Sequence, residues 1–150
     1  MSNDRPVAED RLAIDVSLLI VRVVVGIIFA AHGAQKLFGL FGGQGIAELV
    51  KMMGPIGYPV AIGEFFGGLG LIVGFLCRFS AASLIIIMIG AIQMVHGKNG
   101  FFLSDKGFEY NLALIGLLAP ILIAGAGRFS IGRYLPLPKS VTRRPIVFLE

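Results

Sequence analysis

The 150-residue chain is 56% hydrophobic and only 15% charged, with a mean hydropathy of +0.87. Soluble domains of this size carry about a quarter charged residues, so composition alone excludes an ordinary soluble domain and points to a polytopic membrane protein. The net charge of +4 comes with no aromatic-basic groove and no zinc-ligand spacing, which sets nucleic-acid binding aside in favour of basic loops at a membrane surface.

Residues 1–12 are polar and are expected at the membrane surface. They mix Asp4, Glu9 and Asp10 with Arg5 and Arg11, unlike the basic leader of a cleaved signal. The apolar run that follows is long enough to span, and a retained first helix is predicted over residues 14–38, roughly 37 Å at 1.5 Å per residue. Arg22 lies in its first third. Its long side chain is expected to snorkel toward the near headgroups, with an ion pair inside the bundle as the alternative. Gly26 and Gly33, seven apart, would allow a close helix neighbour. His32, Gln35 and Lys36 end the run at i, i+3 and i+4, so a helix puts them on roughly one face.

Residues 39–57 are too polar and glycine-rich to span. Within them Ile46, Leu49, Val50 and Met53 follow helical spacing, with Glu48 and Lys51 opposite. That pattern predicts a short amphipathic helix in the interface, ended by Gly54-Pro55, which lids or flanks a polar site. The second spanning helix is predicted over 58–76. Gly63, Gly67, Gly70 and Gly74 form a stripe that would admit a neighbouring backbone, and Glu64 is a carboxylate about two turns inside the helix.

Arg78 marks a short turn. The lone cysteine beside it, Cys77, rules out an intrachain disulfide or a C-x-x-C redox pair and reads as a packed, inert thiol. The third helix is predicted over 80–96, apolar until Gln93 and His96. A loop over 97–108 carries Phe101 and Phe102, expected at the interface. The fourth helix, 108–124, opens with Glu109, Tyr110 and Asn111, and Pro120 is expected to kink it. A basic tail, 127–150, carries Arg128, Arg133, Lys139, Arg143 and Arg144. The N-terminus, the Arg78 turn and the tail hold eight Lys and Arg residues against four (Lys36, Lys51, Lys98 and Lys106) on the other side, which predicts cytoplasmic termini.

With four alternating spans, the polar groups at the end of helix 1, the start of 2, the end of 3 and the start of 4 converge on one side of the membrane. His32, Gln35, Lys36, Glu64, Gln93, His96, Glu109 and Tyr110 are therefore expected around one pocket near the outer face. His, Gln, Lys and Tyr suit hydrogen bonds to quinone carbonyls, and the carboxylates could take protons. Two histidines and two glutamates could instead hold a metal or haem in a four-helix core, although no ligand spacing supports it and no metal is assigned. The remaining alternative is an internal network, such as Lys36 with Glu64 or Glu109, that fixes helix packing in a non-enzymatic assembly protein.

The motifs His32-Gly33-Ala34-Gln35-Lys36-Leu37-Phe38-Gly39 and Glu64-Phe65-Phe66-Gly67-Gly68-Leu69 resemble the DoxX family of small four-helix membrane proteins. So do Gly74 with Arg78, Gly107-Phe108-Glu109-Tyr110, and Gly125-Ala126-Gly127-Arg128-Phe129-Ser130. The resemblance covers about residues 11–131, and Gly132 stands where the family often has aspartate. It implies an all-α, four-transmembrane-helix bundle in the bacterial or archaeal cytoplasmic membrane. Related DoxD proteins form the membrane subunit of thiosulfate:quinone oxidoreductase, and other members are linked to redox and oxidative-stress complexes. By similarity a quinone cofactor and a redox partner protein are implied, with His32, Gln35, Lys36, Glu64 and Glu109 as site residues. Gln93, His96 and Tyr110 come from the residues' own pattern.

Overall fold

A computed structural model of the chain describes residues 7–134; Asp4 and Arg5, and in the tail Lys139, Arg143 and Arg144, lie outside the described residues. Among the described residues all regular structure is helical: α1 (Val7–Phe38), α2 (Gly45–Met53), α3 (Gly57–Val73), α4 (Cys77–Ala91) and α5 (Glu109–Ala124). The first helix starts earlier than residue 14. Glu9 and Asp10 fall in its first turn, where carboxylates complement the positive end of the helix dipole.

The stretches Glu9–Phe38, Leu40–Val73 and Cys77–Asn99 are long and apolar enough to cross a membrane, and Glu109–Ala124 is a shorter apolar helix. Helix α2 has nine residues, none buried, and is too short to span. The molecule is thus an all-α membrane bundle of four helices, α1, α3, α4 and α5, with α2 beside it. It closes in the order α1–α3–α4–α5. The α1–α3 contact is the most extensive, and α1 packs least on α5. Val25, Phe29, Leu71, Leu84, Leu118 and Ile121 fill the centre.

Glycine sets the α1–α3 contact. A methyl added to Gly33 would overlap the backbone of Phe65, and one added to Gly68 would overlap the backbone of Ala30. The expected stripe behaves differently, since Gly63 and Gly67 meet the side chains of Ile87 and Leu84 on α4. One residue is about 100° of helix rotation, so Gly68, outside the stripe, is the one turned toward α1.

Arg22 also departs from expectation. Its residue is 2% exposed, and its guanidinium donates to the carbonyls of Ala126 (Nη1, 2.6 Å) and Phe129 instead of reaching headgroups or a carboxylate. After α5 the chain turns through Gly125 and Gly127, both at positive φ, which leaves carbonyls free to accept. Arg78 Nη2 donates to Ile123 O at 2.8 Å and the Arg128 N–H to Asp15 Oδ1 at 2.9 Å, so the same segment is held from three sides. The Gly132 N–H donates to Gly74 O at 3.1 Å. Cys77 is buried in the core cluster, as a packed thiol should be. Helix α5 runs through Pro120 as one element.

These contacts predict opposite responses from two glycines, read by thermal unfolding of detergent-solubilised protein. Gly68→Ala forces overlapping backbones apart and should destabilise by about 2 kcal/mol or more. Gly90 has open space where a methyl would point, with nothing within 4 Å, so Gly90→Ala should gain up to about 1 kcal/mol from helix propensity.

Candidate functional site

The close approach at Gly33 determines where the first polar groups meet. Lys36 is one turn beyond Gly33 on α1, and Glu64 directly precedes Phe65 on α3. With the two backbones in contact, Lys36 Nζ reaches both carboxylate oxygens of Glu64 at 2.5 Å. Glu64 is 2% exposed, whereas the Lys36 side chain is 31% exposed. A carboxylate so far from water is tolerable only when paired, and its partner's side chain stays partly exposed.

From the other wall, α4 leaves regular α-geometry at Ile92–His96, a π-helical turn, and continues as a short 3-10 turn at Gly97–Asn99. His96 Nδ1 lies 2.8 Å from Lys106 O. A carbonyl only accepts, so Nδ1 carries the hydrogen, and in the neutral ring Nε2 keeps its lone pair. Asn99 Nδ2 donates to the same carbonyl at 3.2 Å, and Glu109 Oε1 accepts the Leu103 N–H at 2.7 Å. The 97–108 loop is thereby tied down over the end of the bundle.

Beneath it is a cavity of about 220 Å³, lined by Phe29, His32, Lys36, Glu64, Met88, Ala91, His96, Leu103, Gly107, Tyr110, Asn111 and Leu114. A second, open groove of about 310 Å³ runs along the flank of α1 past Ile27, Ile28, Ala31, Gln35 and Phe41. His32 and Tyr110 line both, their rings edge-to-face with centroids 6.4 Å apart. They stand between the chamber that holds the Lys36–Glu64 pair and the apolar flank of α1.

The expected constellation is thus assembled in part. His32, Lys36, Glu64, His96 and Tyr110 share the cavity. Gln35 lines the groove, its Nε2 donating to Phe41 O at 3.4 Å. Gln93 is exposed and lines neither space, because a π-turn carries more than four residues and separates i from i+3. Glu109 also lines neither, being engaged by the Leu103 N–H. Among the described residues no three His, Cys, Asp or Glu side chains converge as metal ligands: His96 is turned onto Lys106 O and Glu109 onto the loop.

Asn111 is missing from the residues expected at the site, yet it is 6% exposed, lines the cavity and donates from Nδ2 to Met88 Sδ at 3.4 Å. A signal for it exists in the sequence: Asn111, Leu114, Leu118 and Ile121 are the buried positions of α5, spaced i, i+3, i+7 and i+10. On that register the inward polar residue of α5 is Asn111, two positions past Glu109.

Breaking the Lys36–Glu64 pair from one side leaves a buried charge, so Lys36→Met should cost about 3–5 kcal/mol in unfolding free energy. Lys36→Met with Glu64→Gln, which removes both charges, should recover most of it. Equal losses in the single and double variants would contradict direct pairing.

The DoxX family profile matches residues 17–97. The chain is 30% identical over 121 residues to "Inner membrane protein YqjF" of Escherichia coli (strain K12), covering 81% of this chain and 93% of that protein. It is 30% identical over 109 residues to "Putative oxidoreductase CatD" of Bacillus subtilis (strain 168), covering 69% and 76%. An uncharacterized protein of Haemophilus influenzae is 31% identical over 126 residues, covering 77% and 81%. No solved structure shows a significant match. The profile spans more than half of the chain and the relatives most of their own lengths; the protein belongs to the DoxX family.

Proposed function

We propose that this protein is a redox-associated subunit of the cytoplasmic membrane whose cavity takes the head of a quinone, with the tail lying in the α1 groove. The supporting observation is that His32 and Tyr110 line both spaces: a small, largely apolar chamber that holds the Lys36–Glu64 pair and a few other polar groups, and an apolar groove beside it. An amphipathic ligand with a compact polar ring and an apolar chain has that shape. The names of two relatives, "Inner membrane protein YqjF" and "Putative oxidoreductase CatD", agree with membrane and redox association.

The donor set suits ring carbonyls. Lys36 directs an ammonium toward the chamber while Glu64 balances its charge, so a donor is available without an isolated cation in lipid. Tyr110 adds a hydroxyl, and the fixed Nδ1 of His96 leaves Nε2 to accept a hydrogen bond or a proton. A bound quinone supplies two-electron, two-proton chemistry. The residues' part is to orient the ring, keep water out and hold protons at Lys36, His96 and Tyr110. Glu109, through the Leu103 N–H, positions the covering loop. Electrons come from a redox partner protein. With cytoplasmic termini, the chamber lies in the outer half of the membrane.

A second reading has its own support. The Lys36–Glu64 pair sits where α1 and α3 are closest, so it could serve packing alone in an assembly protein. The two readings separate in a binding experiment on purified protein with a short-tailed benzoquinone. The quinone reading expects saturable binding, weakened about tenfold or more by His32→Ala and by Glu64→Gln. Unchanged binding in both variants, or none in the unaltered protein, would leave the packing reading in place.

A further inference from the structure

We propose that Asn111 is a ligand-reading residue: its amide contacts a ring oxygen on the side of the cavity away from Lys36, so that the pocket selects rings bearing two opposed oxygens. This rests on the quinone reading above and narrows it to a substrate class.

The first ground is an amide whose hydrogen-bonding capacity is nearly unused. Asn111 is 6% exposed, on a register otherwise held by Leu114, Leu118 and Ile121. An amide offers two donors and an acceptor, yet among the described residues its sole partner is Met88 Sδ at 3.4 Å, and a thioether is a weak acceptor. Interchanging the amide oxygen and nitrogen does not help, since the oxygen would then face a sulfur with nothing to donate. The rest of its capacity faces the cavity, where a partner that arrives with the ligand can take it.

The second ground is placement. Lys36 and Glu64 belong to the α1–α3 wall, and Asn111 and Met88 to the α4–α5 wall, with the cavity between them. A ring entering past His32 and Tyr110 meets an ammonium on one wall and an amide on the other. The ammonium can only donate. The amide can donate to a carbonyl or accept from a hydroxyl, so it holds that oxygen whether the ring is oxidised or reduced. A cavity of about 220 Å³ fits such a head and leaves the tail outside in the groove.

Asn111→Leu keeps the side-chain size and removes the polar atoms. The test pairs its thermal unfolding without ligand with binding of a short-tailed para-benzoquinone and of a same-tailed ring analogue carrying one oxygen. The expected outcome is a melting temperature equal to or above that of the unaltered protein and about tenfold weaker binding of the two-oxygen ring. Binding of the one-oxygen analogue should be no weaker than in the unaltered protein. Asn111→Ser, which keeps a hydroxyl, should retain part of the preference even if the leucine variant does not fold. Equal affinity of the unaltered and leucine proteins for the two-oxygen ring overturns the assignment while leaving the quinone reading intact. So does a lowered melting temperature with the same loss for both ligands, the signature of a structural amide. A lack of quinone binding in the unaltered protein overturns both.

Discussion

The structure depends on how closely α1 and α3 approach at Gly33, Gly68 and Gly26. Lipid offers no hydrophobic drive to bring helices together, so contact between backbones has to come from packing, and only residues without a Cβ permit it here. The buried ion pair follows from that distance. Lys36 reaches Glu64 because the helices touch one turn away, and the core tolerates the Glu64 carboxylate because Lys36 reaches it. A wider spacing would leave a carboxylate stranded and the chamber without its charged wall.

At the opposite end of the bundle a cation solves a different problem. Arg22 and Arg78 donate to backbone carbonyls where α5 ends and the chain turns back, so their charges satisfy orphaned acceptors instead of serving a ligand. The two ends therefore divide the work. One is closed by arginine on backbone; the other holds the cavity and the side chains that line it. The weakly packed α1–α5 seam, where His32 meets Tyr110, lies at the cavity end.

Much of this is legible from the residues. The apolar runs and the Ile46–Met53 spacing locate the five α-helices among the described residues, though not the start of α1 or the short turns, because membrane spans and amphipathic faces depend on local pattern alone. Five residues escape such a reading, each where the outcome depends on tertiary geometry; Gln35 is one, turned to the groove and onto Phe41 O. The acceptors for Arg22 exist only once the loop after α5 has turned. Gln93 leaves the site because α4 changes from α- to π-geometry just before it. Glu109 is drawn onto the Leu103 N–H by a loop with no sequence signature, and Asn111 replaces it on the inward register. The family resemblance locates the motifs of the site but does not distinguish a residue facing the chamber from one beside it.

The proposed quinone ring sits in the chamber, not against the lipid-facing surface. The most direct measurement is photo-crosslinking of an azidoquinone to the protein in lipid nanodiscs, with the modified peptides mapped by mass spectrometry. A ring held in the chamber gives adducts confined to the ends of α1 and α4 and the start of α5, around His32, Lys36, His96 and Tyr110, competed away by unlabelled quinone. Adducts spread over outward residues such as Phe79, Ile86 and Ile123, insensitive to competition, would contradict it.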